Sequence, residues 1–216
     1  MNRLRGLYAV TPADSTGTLR LSTRVEQAIA GGARIIQYRA KGGDPERRRS
    51  EALALLASCR SRGIPLIVND DLGLAEAIAA DGVHLGRDDA DPREARRRLG
   101  PKAIIGVSCY DSFERALWAQ DIGATYAAFG RFFPSATKPE AVPARLCLLR
   151  RGRCELNLPL VAIGGITAEN AGALIAAGAD LIAVVDGVFG QPDICAAALA
   201  LSSLFSPEVP SDDPIP

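Results

Sequence analysis

PLIVNDDLGLAEAIAADGVHLGRDD, residues 65–89, reads as a strand, a helix and a second strand, with polar residues gathered where each strand stops. Leu66, Ile67 and Val68 form an apolar run between Pro65 and Asn69, the pattern of a strand covered on both faces in a parallel sheet. Asp70 or Asp71 can cap the helix that follows, whose apolar positions Leu72, Leu74, Ala75, Ile78 and Ala79 keep helical spacing. Gly82 ends it, and Val83 to Leu85 make the next strand. Parallel strands joined by a right-handed crossover lie side by side with one polarity, so Asn69, Asp70, Asp88 and Asp89 are expected on the same edge. Grouped carboxylates want a cation. Mg²⁺ fits them, because it keeps several waters and takes one or two carboxylates plus substrate phosphates. The plainer alternative is helix caps and loop charges in water.

The same unit recurs along the chain. AIAGGARIIQYR at 28–39, AQDIGATYAAFG at 119–130 and LIAAGADLIAVVD at 174–186 each carry a helix end, a glycine and a strand. Glycine there takes the left-handed conformation that ends a helix without a Cβ clash. Strands are predicted at 7–10, 34–39, 66–68, 83–85, 103–107, 126–129, 160–163 and 181–185. Helices are predicted at 19–30, 45–62, 72–80, 92–99, 113–122, 141–151, 168–176 and 194–205. Alternating units of this length close most naturally into a single-domain (β/α)₈ barrel, an α/β fold, over residues 1–205. An open doubly wound sheet is the runner-up, but LYAVTPADSTGT at 7–18 holds no GxGxxG. The tail SPEVPSDDPIP, 206–216, is Pro-rich and acidic and is expected to be disordered.

A chain of 216 residues can bury one sizeable core, and Lys plus Arg balances Asp plus Glu at 25 each. That balance argues against nucleic acid and anionic membrane surfaces and for small-molecule substrates. MNRLRGLYAVTP, 1–12, lacks an apolar segment of signal-peptide length and no run approaches a membrane span, so a cytoplasmic protein is expected. The cysteines, 59, 109, 147, 154 and 195, form no CxxC and read as reduced thiols rather than disulfides or zinc ligands. The sequence leaves open whether the chain forms a homo-oligomer.

In a barrel the residues after each strand line the active face. Here they include cations, acids and glycine turns, without a Ser/His/Asp or Cys/His set. QYRAK, 37–41, alternates, so Gln37, Arg39 and Lys41 share one side of an extended chain and could meet an oxyanion with an amide and two charges. IGGIT, 163–167, opens a helix after the seventh strand, where barrels commonly bind phosphate on a helix N-terminus, and Gly164 and Gly165 would let backbone approach the ligand. GRFFPSATKPEA, 130–141, brings Ser135, Thr137 and Lys138 into a long loop suited to closing over phosphate. Ser108 ends the strand AIIGVS and could donate a hydrogen bond. His84, the sole histidine, falls inside a strand and reads as a packing residue. Phe113, Leu117 and Trp118 read as core, and the arginine runs at 47–49 and 96–98 as solvated helix faces.

Taken together, QYRAK, VND followed by ADGVHLGRDD, GVS, GRFFPSATK and AIGGITAENAGALIAAGAD resemble the thiamine phosphate synthase family from Leu7 to about Phe205. The resemblance implies a transferase of thiamine biosynthesis. It would join 4-amino-2-methyl-5-hydroxymethylpyrimidine diphosphate to a thiazole phosphate, giving thiamine phosphate and pyrophosphate with Mg²⁺ as cofactor. By position, Gln37, Arg39, Lys41, Asn69, Ser108 and Lys138 would hold the pyrimidine diphosphate, with Arg39, Lys41, Ser108 and Lys138 acting on the departing charge. Asp70 and Asp89 would bind Mg²⁺. Ser135, Thr137, Gly165, Val185 and Asp186 would hold the thiazole phosphate. The chain departs from the family pattern at Asp186, where serine is common, and at Asp71, Arg87 and Tyr110. The rival expectations are a thiazole tautomerase, which would rely on a pocket histidine, and a catalytically silent barrel that binds thiamine precursors.

Overall fold

A strand apolar on both faces is stable only where both faces are covered, and all eight such runs close into one parallel barrel in strand order. The computed structural model of the chain describes residues 4–13, 20–134 and 142–205. The elements are β1 (Gly6–Val10), α1 (Leu21–Ala30), β2 (Ala33–Tyr38), α2 (Pro45–Arg60), β3 (Leu66–Asn69), α3 (Leu72–Ala77), β4 (Gly82–Leu85), α4 (Pro92–Leu99), β5 (Ile104–Tyr110), α5 (Phe113–Asp121), β6 (Tyr126–Phe129), α6 (Leu146–Glu155), β7 (Leu160–Ile163), α7 (Ala168–Ala176), β8 (Leu181–Val184), α8 (Asp186–Phe189) and α9 (Ile194–Ser203). β1 pairs with β2 on one side and β8 on the other.

Alternation along each strand builds two cores. Tyr8, Val10, Ile35, Ile67, Tyr126, Ala128, Val161, Leu181 and Ala183 fill the barrel interior. Their neighbours one residue away, such as Leu7, Ile36, Leu66, Val83, Ile105, Phe129 and Ile182, face the helices in a larger cluster. The tail 206–216 lies outside the described residues.

The repeated sequence unit also closes the first rung of the barrel. In three copies the residue before or at the strand start accepts an amide from the neighbouring strand: Asp81 Oδ2 from Leu66 at 2.9 Å, Thr125 Oγ1 from Ile105 at 3.0 Å and Asp180 Oδ2 from Leu160 at 3.0 Å. Asp180 is 7% exposed, with Arg153 3.8 Å away. Removing its carboxylate would strand a buried amide, so Asp180→Ala is expected to lower unfolding free energy by about 2 kcal/mol. Urea unfolding would show a lower midpoint at unchanged slope. Because Asp180 sits at the strands' N-terminal ends, kcat should hold in the fraction that folds.

Several boundaries differ from expectation, and one helix is added. β5 runs on to Tyr110, so Ser108 lies inside the strand rather than at its end. α6 begins at Leu146, not at 141, and reaches Glu155. The amide of Ala144 is committed to the Arg131 carbonyl at 2.7 Å, which holds 142–145 out of the helix. α8 is a single turn after β8, too short for a 3.6-residue period to register in sequence.

All five cysteines are free. Cys59 and Cys109 are buried, and desolvation pushes each thiol up to about 12. Among the described residues no helix is long and apolar enough to cross a membrane.

Candidate active site

The inward-facing rows that fill the barrel end, toward the C-terminal edges of the strands, in polar residues around a cavity of about 490 Å³. Two steps beyond Ile35 stands Gln37, two beyond Ile67 stands Asn69, and two beyond Gly106 stands Ser108; all three line it. Asn69 pairs in register with His84, which also lines the cavity. His84 is therefore both a strand residue and a cavity residue, a correction to the expectation of packing alone.

Under the cavity runs a chain of hydrogen bonds. Gln37 Nε2 donates to Tyr8 Oη at 2.6 Å, and the Tyr8 and Tyr126 hydroxyls lie 2.7 Å apart. The Tyr126 hydroxyl is 3.0 Å from His84 Nδ1, and His84 Nε2 is 2.8 Å from Ser108 Oγ. Burial raises the pKa of both phenols well above the ordinary tyrosine value, so neither ionises in the working range. The His84 ring stacks on Tyr126, and Tyr8 meets Tyr126 edge to face.

Cations stand on the wall. Arg39 is 7% exposed and lines the cavity, and its backbone amide donates to Thr11 Oγ1 at 2.9 Å, which ties the ends of β1 and β2. Lys41 is exposed and outside the lining. β2 stops at Tyr38, so the alternation that would put Lys41 beside Arg39 is not maintained. Arg87 and Arg131 line the cavity as well.

Asp70 and Asp71 part company. Asp71 caps α3 by accepting from the Leu74 amide at 2.8 Å and pairs with Arg48 at 3.3 Å. Asp70, at φ 62°, donates its amide to the His84 carbonyl at 2.9 Å and lines the cavity. Asp88 and Asp89 line it from the loop after β4, where Asp89 Oδ2 accepts from the Gly86 amide at 2.6 Å. That loop is braced by Tyr110, whose hydroxyl accepts from the Arg87 amide at 3.1 Å, and by Arg115, which donates to the Ser108 and Gly86 carbonyls at 2.6 and 3.0 Å. Carboxylates on one cavity offer hard oxygen donors, the kind Mg²⁺ accepts. Among the described residues no three His, Cys, Asp or Glu side chains form a metal-binding group.

On the far side, Gly165, Val185 and Asp186 line the cavity, and Asp186 is exposed. The glycines of IGGIT, both on the cavity, also admit a close backbone neighbour. Gly164 and Gly165 have φ 105° and 62°, and a Cβ on either would run into the loop after β6, at Arg131 and at the Pro134 carbonyl. The loop packs on one side of these glycines, and their backbone lines the cavity. Ser135, Thr137 and Lys138 lie outside the described residues.

Tyr8 and His84 are cavity residues to which the motifs assigned no site role. Period-two counting back from Val10 and Ser108's neighbouring strand would have turned Tyr8 and His84 inward. Arg131, two residues past the end of β6, falls where the strand-end rule places cavity residues.

The thiamine monophosphate synthase family model matches residues 7–188. The thiamine-phosphate synthase of Azoarcus sp. (strain BH72) is 54% identical over 204 residues, spanning 94% of this chain and 98% of that protein. The thiamine-phosphate synthase of Methylococcus capsulatus is 53% identical over 201 residues, 93% of this chain and 89% of that one. Among solved structures, the thiamine phosphate pyrophosphorylase from Pyrococcus furiosus superposes with a TM-score of 0.82 at 32% identity, covering 94% of this chain and 96% of that one. The chain belongs to the thiamine monophosphate synthase family.

Proposed function

We propose that this chain condenses 4-amino-2-methyl-5-hydroxymethylpyrimidine diphosphate with a thiazole phosphate, giving thiamine phosphate and pyrophosphate. The observation that carries the proposal is one cavity holding Asp70 and Asp89 together with Arg39 and Arg131 above an uncharged polar floor. Its volume, about 490 Å³, is in the range of small-molecule sites.

Such a site needs no enzyme nucleophile. The bond between the pyrimidine methylene carbon and the diphosphate oxygen breaks, and its electron pair leaves with pyrophosphate. The electron-rich aminopyrimidine bears the carbon's positive charge until the thiazole nitrogen supplies its lone pair to form the new carbon–nitrogen bond. Arg39 and Arg131 offset the charge gathering on the leaving group, in a pocket where such contacts are stronger than in water. Gln37, Asn69 and Ser108 orient the pyrimidine so that the thiazole meets a carbon already in place. Asp70 and Asp89 would hold Mg²⁺, which when bound supplies positive charge against the departing diphosphate. Lys41 and, from the loop after β6, Ser135, Thr137 and Lys138 belong to the same proposal as further phosphate contacts. Gly165, Val185 and Asp186 would face the thiazole phosphate, with backbone amides rather than the Asp186 carboxylate toward the anion. Free cysteines throughout suit the cytosol's reducing conditions.

A tautomerase would require a pocket histidine free to move a proton. Both ring nitrogens of His84 are engaged, by Tyr126 and by Ser108. The deciding test incubates the purified chain with both phosphorylated precursors and Mg²⁺. Pyrophosphate and thiamine phosphate should appear in equal amounts, and neither should form when one precursor is withheld. An isomerised thiazole, or no product, would refute the proposal.

A further inference from the structure

The chain Gln37–Tyr8–Tyr126–His84–Ser108 has a direction, and that direction follows from counting hydrogens. Gln37 Nε2 can only donate, so the Tyr8 oxygen accepts. The one Tyr8 hydrogen then needs an acceptor, and the Tyr126 oxygen is 2.7 Å away. Tyr126 in turn donates to His84 Nδ1, which leaves the hydrogen of His84 on Nε2, facing Ser108 Oγ. Run the other way, Ser108 would give its hydrogen to His84, and the last phenol in line would point an O–H at an amide nitrogen that cannot accept it. Only a flip of the Gln37 side chain would relieve that clash. Tyr8 and Tyr126 are 1% and 0% exposed, so no solvent can satisfy a misdirected hydroxyl.

We propose that Tyr126, which does not itself line the cavity, is a positioning residue. By bridging Tyr8 and His84 it locks the sense of the chain, so that Gln37 keeps its carbonyl oxygen and Ser108 its hydroxyl hydrogen available to one ligand. That pattern selects a pyrimidine edge with an amino donor beside a ring-nitrogen acceptor and disfavours the 4-oxo edge, where donor and acceptor exchange places. This rests on the reading that Gln37 meets the aminopyrimidine.

His84 is the sole histidine, so its ring nitrogens give an unambiguous ¹⁵N signal. At neutral pH the folded parent should show one neutral tautomer with hydrogen on Nε2, and Tyr126→Phe should show a mixture. Hydrogen on Nδ1 in the parent would overturn the proposal, and this readout needs no substrate. In kinetics, the ratio of kcat/KM for the 4-amino over the 4-oxo pyrimidine diphosphate should fall about tenfold in Tyr126→Phe, with KM for the thiazole phosphate unchanged. A lower kcat at an unchanged ratio would mean a structural role only and would also overturn it. Should Tyr126→Phe fail to fold, Tyr8→Phe cuts the same chain one link nearer Gln37 and should lose discrimination to the same extent. If the parent gives the Nε2 tautomer yet turns over neither pyrimidine, the proposed reaction fails and the locked chain stands.

Discussion

Asp89→Asn and Asp70→Asn are each expected to fold like the parent and to lose on the order of several hundredfold in kcat/KM, about 3–4 kcal/mol of transition-state stabilisation, with most of their response to Mg²⁺. Asparagine is the informative replacement at both positions, for different reasons. Asp89 accepts the Gly86 amide at 2.6 Å, and an amide oxygen can do the same, so only charge is removed. Asp70 sits at φ 62°, a conformation asparagine tolerates well and alanine does not. Alanine there would mix backbone strain of about 1 kcal/mol or more with the loss of a ligand. Initial rates measured across a Mg²⁺ titration should show that neither variant regains parental turnover at saturating metal. Near-parental activity at low Mg²⁺ in both would contradict the assignment of these carboxylates to the ion.

Why Asp70 and Asp89 were legible in sequence while the middle of the polar floor, Tyr8, Tyr126 and His84, was not comes down to what each depends on. A carboxylate directly after an apolar strand announces itself, because the barrel rule places every strand end on one face. The neighbouring Asp71 shows the limit. Cap and cavity residue are adjacent in the chain, and only the positive φ of Asp70 separates their directions. Lys41 shows another limit, since alternation predicts a shared face only while the strand lasts, and β2 ends three residues before it. The paired glycines at 164 and 165 mark a close backbone approach, and one partner, the loop after β6, is not encoded in their spacing. Tyr8, Tyr126 and His84 come from three strands far apart in sequence. Their contact depends on barrel register, which pairs His84 with Gly106 and Gly106 with Tyr126, and no local pattern encodes that. The repeat, by contrast, was visible, and its acidic or hydroxyl position proved to be the residue that closes the first rung at Asp81, Thr125 and Asp180.

The register makes Gly106→Ala the substitution with the largest expected effect on stability. Gly106 faces the interior between His84 and Tyr126, and an added Cβ would run into the Tyr126 ring at Cζ and its hydroxyl. Gly106 has no positive φ, so alanine costs nothing in backbone conformation and the penalty is steric. The ring has nowhere to go. It is 0% exposed, stacked by His84 and met edge-on by Tyr8. Displacing it also breaks the hydrogen bonds to both. Overpacking of about 1–3 kcal/mol and the loss of buried hydrogen bonds at about 1 kcal/mol each add to roughly 3 kcal/mol or more. For a chain of this size that is a fall in Tm of about 6–12 °C. Gly172→Ala in α7 is the control, because a Cβ there meets nothing within 4 Å and helix propensity favours alanine by about 1 kcal/mol. Its Tm should hold or rise. A Gly106→Ala protein melting within about 2 °C of the parent, with its activity intact, would mean that the Tyr126 ring does not fill the barrel axis against β5.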